Sequence, residues 1–488
     1  MEKKSIAKNY IFNLIYQMLT IFLPLITTPY LSRVLGAEQI GIYGYTCSIV
    51  TYFILFGTLG INMYGQREMA YLQNSKENSS KSFWELIIIR SSTLAISMLL
   101  FYFVYASGGE YSLYYKILLI QMLANMFDIS WLFQGIEEFD KTVIRNLIVK
   151  LLSLVLIFVC VKSYDDLWIY FLIYAGAEFI GNLSIWAYVP KYINKVKIKE
   201  LDLRKHIRPV LALFLPQIAV QIYTVLDKTM IGVITDDMIE VGYYEQAQKV
   251  VRAALMVVSS LQTVMNSRIA NAYANNDNLE VKKCLGMSFS FVWLLAVPMM
   301  FGLIAIADKF VPWYYGASFE GVTYILMVTA PILIAIGLNG ITGVQYLVQT
   351  GKQSIFTKSV IVGSIVNVIL NFMLINKLGG VGAAIASVVA EISIFLFQLR
   401  YFKSQFSFFE IMKLSIKYFI SGIVMFGAIK LVASFLPVGI IYTLIEILVG
   451  CVVYFILLLI LRDKFFIDLL RQVWENVIIK LRGGKVNV

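Results

Sequence analysis

The sequence contains little of what soluble enzymes use most. Only 15% of its 488 residues are charged, whereas soluble globular chains carry about 25%. The single histidine, His206, falls in a basic loop, so we do not expect a histidine-based catalytic centre. The four cysteines are far apart and lie in or beside apolar runs, a pattern that predicts neither a disulfide framework nor a metal site. They are Cys47, Cys160, Cys284 and Cys451.

Motifs for enzymatic chemistry are also missing from the sequence. There is no phosphate-binding Walker loop, so we do not expect ATP hydrolysis. Between the apolar runs described below, the longest segments predicted to face the outside, residues 107–114 and 308–321, are too short for a catalytic domain. Residues 1–8 lead directly into an apolar run without a small-residue cleavage site, so no removable signal peptide is expected. We therefore predict a protein that is not an enzyme and that uses no cofactor and no metal.

Long apolar runs are what the chain has in abundance. Apolar residues make up 59% of it, and runs of about 20 residues, each long enough to cross about 30 Å of hydrocarbon, recur from end to end. The predicted fold class is an all-α integral membrane protein with about fourteen transmembrane helices. The expected spans are residues 9–31, 40–63, 83–105, 115–134, 143–162, 167–189, 209–234, 246–265, 285–307, 322–346, 357–375, 380–399, 418–435 and 439–461.

Basic residues are distributed unevenly among the segments that connect these spans. With the N-terminus inside, the inner segments hold 30 of the 41 Lys and Arg residues, and the outer segments hold five. Cytoplasmic segments of membrane proteins carry the excess of basic residues. Both termini are therefore predicted to be cytoplasmic, with the chain in the cytoplasmic membrane. The net charge of +11 then reflects membrane orientation, and nucleic acid is not an expected partner.

Three short segments recur in the same order at offsets of 201 to 215 residues. These echoes predict two parallel six-helix repeats with a substrate site between them, as in many transporters. The predicted domains are an N-terminal bundle at 1–205, a C-terminal bundle at 206–400, and two extra helices with a tail at 401–488. The echoed pairs are Ile40-Gly41-Ile42-Tyr43 with Val241-Gly242-Tyr243-Tyr244, Phe133-Gln134-Gly135 with Val348-Gln349-Thr350-Gly351, and Ala177-Glu178 with Ala390-Glu391.

Charged residues inside the predicted spans are the candidate functional residues. A charge at the centre of a bilayer costs at least about 2.5–3.5 kcal/mol, so each needs a partner or an aqueous cavity. We predict a cationic path for an anionic headgroup, and four acids in coupling or structural ion pairs. The path consists of Arg90 and Lys150 near the inner side and Lys228 and Arg252 near the outer side, with Arg33 added from the first outer segment. The acids are Asp128, Glu178, Asp227 and Glu391.

Alternative roles exist for several of these charges. Helix–helix hydrogen bonding explains Glu178 and Glu391 as well as ion coupling does. Asp227 is adjacent to Lys228 and points in a different direction, so it can neutralise Arg252 instead. Near the end of the chain, Lys430 is expected to reach the membrane interface or to pair with Glu446.

Family signatures accompany these charges in both predicted repeats. In the first repeat they are Thr28–Gly36 continuing into Gly41-Ile42-Tyr43, then Gly60–Glu68 and Asp128–Gly135. In the second they are Leu226–Gly232, Val241–Tyr244 and Gly379–Ala384, with Asn367 and Asn371 before the last. Over most of its length the chain resembles the polysaccharide repeat-unit flippases, Wzx-like proteins related to MATE transporters and lipid II flippases. Ser267 and Asn376 stand where that family often has proline, which concerns local helix geometry.

The resemblance implies a function as well as a fold. It implies two bundles with alternating access, and as substrate an undecaprenyl-diphosphate-linked oligosaccharide that moves from the inner to the outer leaflet. The expected partners are that lipid-linked oligosaccharide and the lipid bilayer, and a polysaccharide polymerase is a further candidate. The main alternative is a MATE-like cation-coupled drug exporter, which would favour a net acidic cavity. Apart from the first and last three residues of each, the spans here hold six basic and five acidic residues. A membrane-embedded polymerase or transferase is a third hypothesis.

Overall fold

The computed structural model describes the backbone of residues 6–403 and 405–481. Side chains are described from residue 23 to residue 475, apart from 139, 215–217, 219–220, 222–224, 263, 404 and 473. In this part of the chain every regular element is a helix, which confirms the all-helical prediction. The α-helices are α1 (Ile6–Thr58), α2 (Ile61–Leu72), α3 (Lys76–Phe101), α4 (Ser112–Met126), α5 (Ser130–Gly135), α6 (Phe139–Cys160), α7 (Leu167–Ser184), α8 (Val189–Tyr192), α9 (Arg204–Thr235), α10 (Met238–Val258), α11 (Gln262–Ala274), α12 (Asn278–Tyr314), α13 (Glu320–Thr329), α14 (Ile332–Asn339), α15 (Gln353–Phe402), α16 (Phe408–Ala433), α17 (Ile440–Ile460) and α18 (Lys464–Leu481).

Many of these helices are long and apolar enough to cross a membrane. Among the described residues nine candidate spans meet both criteria, or ten if one bent pair of helices counts as a span. Two candidates, Leu23–Leu72 and Gln353–Phe402, contain 50 residues each; at 1.5 Å per residue each would extend about 75 Å, more than twice the hydrocarbon thickness. Each is therefore long enough for two crossings. Each also contains a break where the chain can change direction, at Gly36 (φ 76°) and at Gly379 (φ 53°). The count of fourteen stays a prediction.

Contacts within the chain divide it into two compact units, Met1–Glu245 and Gln246–Val488. The predicted boundaries after residues 205 and 400 concern the repeats and stay a prediction. Within the second unit, α12 packs closely on α16 at Gly422. A Cβ atom there would lie 2.6 Å from Cδ2 of Phe301 and 2.9 Å from Cγ1 of Val297. Small residues at such a crossing allow two membrane helices to approach each other closely.

Two glycines paired by the predicted repeat, Gly41 and Gly242, contact each other in the first unit. A Cβ on Gly41 would overlap the carbonyl oxygen of Met238, and a Cβ on Gly242 would overlap the carbonyl oxygen of Ala37. Met238 follows Ala37 by the same 201 residues that separate the two glycines, so the contact is reciprocal. A two-fold axis produces reciprocal contacts. This geometry supports a duplication, and the six-helix repeats themselves stay a prediction.

The start of α9 is attached to α2 and α3 by the only histidine. His206 was expected in a basic loop, but it lies in the first turn of α9 and is fully buried. Its Nε2 lies 2.7 Å from Oε2 of Glu85, and its Nδ1 lies 2.8 Å from the hydroxyl of Tyr64. The ammonium of Lys205 lies 2.8 Å from the same carboxylate. Burial is tolerated because both ring nitrogens have partners.

Candidate functional site

Three predicted residues, Arg90, Asp128 and Glu178, meet around Asn125 in the first unit. Asn125 lies one residue before the end of α4, where helix carbonyls lack intrahelical partners. Nε of Arg90, on α3, donates to the carbonyl oxygen of Asn125 at 2.7 Å. Its Nη1 donates to Oδ1 of Asn62 at 2.6 Å, and its Nη2 lies 3.7 Å from Oδ2 of Asp128. One arginine therefore joins α2, α3, α4 and the segment before α5.

Glu178 on α7 enters this cluster through amide groups. Nδ2 of Asn125 donates to its Oε1 at 3.3 Å, and Nε2 of Gln121 donates to its Oε2 at 3.2 Å. Helix–helix hydrogen bonding, the alternative role considered for Glu178, is therefore what the structure shows, and a role in ion coupling stays a prediction. We call Asn62, Arg90, Asn125, Asp128 and Glu178 the polar cluster.

The polar cluster is closed around its arginine. Arg90 is fully buried, while Asp128 keeps about a fifth of its side chain exposed. A guanidinium without water around it requires its bound oxygens, because an unpaired charge in a low-dielectric interior is very costly. The arrangement holds the ends of several helices together. Contact between Arg90 and a headgroup stays a prediction that requires the cluster to open.

Lys228 and Asp227, near the end of α9, have separate partners on α10. The ammonium of Lys228 lies 3.0 Å from Oε2 of Glu245, and the hydroxyl of Tyr244 donates to Oδ2 of Asp227 at 2.5 Å. The two adjacent residues therefore point in different directions, as the sequence suggested. The Lys228 side chain keeps 14% of its surface exposed. Glu245 was not predicted, because it lies one residue before the predicted span 246–265 and only charges inside the spans were considered.

Tyrosine side chains lie close to this ion pair. A Cβ on Gly44 would lie 3.7 Å from the side chain of Glu245, and Tyr43, the residue before Gly44, contacts the rings of Tyr170 and Tyr174 with centroids 4.7 and 6.0 Å apart. Tyr174 is 47% exposed. Aromatic faces beside a carboxylate and an ammonium provide both stacking surfaces and hydrogen-bonding groups for a sugar.

The other predicted residues lie elsewhere. Lys150 is half-buried on α6, and Arg33 is exposed and donates from Nη1 to the carbonyl oxygen of Pro29 at 3.3 Å. Arg252 is exposed on α10 and belongs to the second unit. Glu391 is buried in the second unit, where Nδ2 of Asn339 donates to its Oε2 at 2.5 Å. Their roles toward a substrate stay predictions.

The second unit contains an apolar groove that sequence reasoning missed. It is a cavity of about 330 Å³ between α12, α16 and α17. Leu295, Met299 and Leu303 line it from α12, and Met425 and Phe455 line it from α16 and α17. Gly302 and Gly450 also face the groove and leave room in it. Glycines inside apolar spans were a signal in the sequence, but the groove depends on packing between helices far apart in the chain.

Charged residues border the groove at the end opposite Phe455. The ammonium of Lys309 lies 3.7 Å from Oε1 of Glu446, which is fully buried, and donates to the carbonyl oxygens of Ala433 and Leu436. The ammonium of Lys430 lies 2.9 Å from Oδ2 of Asp308. The expected pair between Lys430 and Glu446 is therefore wrong. Lys309 takes the carboxylate because it also binds the carbonyl oxygen of Ala433, the last residue of α16, where a cation is favoured.

Comparisons with known proteins place the chain in a family. Residues 6–266 match the family described as polysaccharide biosynthesis protein, and residues 151–462 match the family described as lipid II flippase MurJ. The chain is 24% identical over 397 residues to the "Putative O-antigen transporter" of Escherichia coli K12, covering 80% of this chain and 95% of that protein. It is 23% identical over 168 residues to a probable low-salt glycan biosynthesis flippase of Haloferax volcanii, covering 34% of this chain and 35% of that protein.

Solved structures show the same fold. Lipid II flippase MurJ in its inward closed conformation matches with a TM-score of 0.75 at 20% identity, over 94% of this chain and all of that one. A multidrug resistance MATE family transporter of the MOP superfamily in an inward-facing conformation matches with a TM-score of 0.62 at 14% identity, over 81% of this chain and 98% of that one. The predicted resemblance is thereby confirmed, since both family matches cover more than half of the chain. The chain belongs to the polysaccharide biosynthesis protein family, among the Wzx-like flippases that are related to lipid II flippases.

Proposed function

We propose that the protein moves an undecaprenyl-diphosphate-linked oligosaccharide from the inner to the outer leaflet of a bacterial cytoplasmic membrane. The apolar groove carries this proposal. Its lining atoms are almost all apolar, and α16 and α17 provide part of that lining. Such a lining suits an isoprenoid chain better than a polar drug. These two helices are the extra pair predicted after the repeats.

In this proposal the groove positions the isoprenoid tail and contributes little hydrophobic free energy to binding. An isoprenoid tail in a bilayer is already surrounded by hydrocarbon, so transfer into an apolar groove removes little surface from water. What the groove provides is a fixed path for the tail. A tail held on this path limits the positions that the headgroup at its end can take, which is the positional advantage that binding sites give.

The charges and tyrosines of the first unit suit the other end of the substrate. A diphosphate must lose water to enter the membrane, and fixed cations such as Lys228 replace part of that hydration with charge-assisted hydrogen bonds. The tyrosines around Tyr43 offer faces for the sugar rings. Exposure of this region first to one side of the membrane and then to the other completes the transport cycle that we propose.

Flipping by the purified protein tests this function. Proteoliposomes would receive a lipid-linked oligosaccharide with a fluorescent sugar, and an impermeant quencher or a sugar-modifying enzyme outside would report arrival in the far leaflet. We expect protein-dependent flipping of the diphosphate-linked lipid. Absence of flipping, together with cation-driven efflux of an amphiphilic dye from the same vesicles, would favour the MATE-like exporter instead.

The proposed direction requires both termini in the cytoplasm. Lys197, before α9, and Asp165, before α7, are both exposed and belong to segments predicted on opposite sides. A single cysteine at Lys197 in a cysteine-free background should react only with a reagent inside the cell, and one at Asp165 only with a reagent outside. Labelling of both from one side would contradict the orientation.

A further inference from the structure

The last helix, α18, leaves α17 in a fixed direction. The chain turns at Arg462 (φ 49°), and Oδ1 of Asp463 accepts a hydrogen bond from the backbone nitrogen of Phe466 at 2.9 Å, as an N-capping residue does. The hydroxyl of Tyr418, on α16, donates to the same oxygen at 3.0 Å. Lys417 donates to the carbonyl oxygen of Arg462 at 3.0 Å. The turn after α17 and these two contacts from α16 therefore determine where α18 begins.

That beginning lies at one end of the apolar groove. The rings of Phe466 and Phe455 are stacked, with centroids 5.1 Å apart and planes 16° apart. Phe455 lines the groove at the end opposite Lys309 and Glu446, and Phe466 is 7% exposed. In the predicted orientation this is the inner end, where a substrate from the inner leaflet enters.

The sides of α18 differ in polarity. Phe466, Leu470 and Trp474 recur at four-residue spacing on one side, whereas Asp468 and Glu475 lie on the other. Beyond Phe466 the apolar side is uncovered in the described residues, since Leu470 is 43% and Trp474 is 68% exposed. Among the residues that the structure describes, the candidate spans do not include this helix. An uncovered apolar side with tryptophan, directly after a span, is typical of a helix that lies in the membrane interface.

The net positive charge of α18 and of the residues after it favours contact with anionic lipids. Two acidic residues on α18, Asp468 and Glu475, are outnumbered by basic residues on it and after it. Basic residues next to the inner end of a span attract anionic lipids. An isoprenoid diphosphate is the anionic lipid that the groove would take. The basic residues are Lys464, Arg471, Lys480, Arg482 and Lys485.

We propose that α18 lies in the inner-leaflet interface and is the loading surface for the anionic lipid substrate. Its apolar side rests in the acyl region, its basic residues concentrate diphosphate-bearing lipids, and Phe466 brings the isoprenoid tail to the groove beside Phe455. This inference rests on the proposed function. It adds a surface that acts on substrate capture before any headgroup enters the first unit.

The position of α18 is tested without any transport measurement. Spin labels on Leu470→Cys and Glu475→Cys, in a cysteine-free protein in phosphatidylcholine–phosphatidylglycerol vesicles, report depth through relaxation by oxygen and by a water-soluble nickel chelate. We expect the label at 470 to lie in the acyl region and the label at 475 in water. Equal water exposure of both labels would overturn the inference even if flipping is normal.

The loading role is tested by the concentration dependence of flipping. Arg471→Glu and Trp474→Glu should raise the substrate density needed for half-maximal rate by about fivefold or more, with the maximal rate unchanged and Glu475→Gln behaving like wild type. A lower maximal rate at unchanged half-saturation would overturn loading in favour of a structural role. If the wild-type protein flips no lipid-linked oligosaccharide while the depth result holds, the proposed function has failed and the loading role fails with it, whereas the interfacial position stands.

Discussion

The polar cluster of the first unit and the apolar groove of the second unit are opposite kinds of membrane-protein interior. In the polar cluster, one fully buried arginine is engaged by a carbonyl, an amide and a carboxylate. In the groove, glycine and aliphatic side chains leave about 330 Å³ without protein atoms. A buried charge must keep its partners, whereas an apolar cavity in a membrane tolerates other apolar groups. Changes in the cluster should therefore affect folding first, and changes in the groove should affect transport alone.

The largest expected effect is on stability, in Arg90→Ala. This change leaves the Asn125 carbonyl and the Asp128 carboxylate without the guanidinium, and removal of one partner from a buried charged group costs about 3–5 kcal/mol. We expect a strongly lowered melting temperature in detergent and little protein in the membrane. Lys283→Ala is the matched control, because Lys283 is 68% exposed and its pair with Glu280 is worth about 0.5 kcal/mol or less. Equal melting temperatures for the two variants would contradict the structural role that we assign to Arg90.

A loss of transport without a loss of stability is expected for Gly302→Phe in the groove. A Cβ on Gly302 would meet no atom within 4 Å, so the new ring can occupy the groove without displacing its neighbours. Replacing a glycine inside a helix changes stability by about 1 kcal/mol or less. We expect flipping to fall by about tenfold or more, that is, by at least about 1.4 kcal/mol in the barrier, at an unchanged melting temperature.

Gly427→Phe provides the control for that substitution. Gly427, on α16, also has open space around its Cβ position, but it is not among the residues that line the groove. It should flip the lipid at the wild-type rate. If Gly302→Phe and Gly427→Phe are equally active, the tail does not use the groove.

An intermediate effect on flipping is expected when the Lys228–Glu245 pair is changed. The pair is charged, like the polar cluster, but it is partly exposed and so less important for folding. The double variant Lys228→Met/Glu245→Gln removes both charges, so no unpaired charge remains buried and the fold should be kept. Loss of one charge-assisted contact to a diphosphate predicts about tenfold slower flipping. Lys228→Arg should retain most of the rate. A double variant with wild-type flipping would exclude this lysine from the headgroup path.

The smallest effect is expected from voltage, which acts on the charged headgroup and not on the tail. A diphosphate with about two negative charges gains about 2.3 kcal/mol per charge per 100 mV when it leaves a negative interior. An imposed inside-negative potential, at zero proton and sodium gradients, should therefore accelerate flipping. The same polyprenyl chain without its diphosphate should not respond. A rate that ignores voltage but rises with a proton or sodium gradient would indicate antiport.

Much of this protein follows from the sequence alone, because the signals are local. The length of an apolar run determines whether a segment can cross the membrane, and basic residues near its ends determine the predicted orientation. Each family signature is likewise a contiguous segment, and so is each of the two segments around Gly41 and Gly242. The membrane class, the all-helical fold and the family were predicted on this basis. The charged residues Arg90, Asp128 and Glu178 were also found from sequence, because a charge inside a span is costly.

Only the tertiary structure decided which partner each charge has and where space remains. Arg90 meets Asn62 and Asn125 because α2 begins and α4 ends beside the middle of α3. Glu446 meets Lys309, 137 positions before it, and not the nearer Lys430. The groove exists because α12 packs against α16 and α17, which follow it by roughly 100 residues or more. Partner choice and cavity shape depend on side chains from distant helices meeting in three dimensions, and no spacing along the chain encodes that meeting.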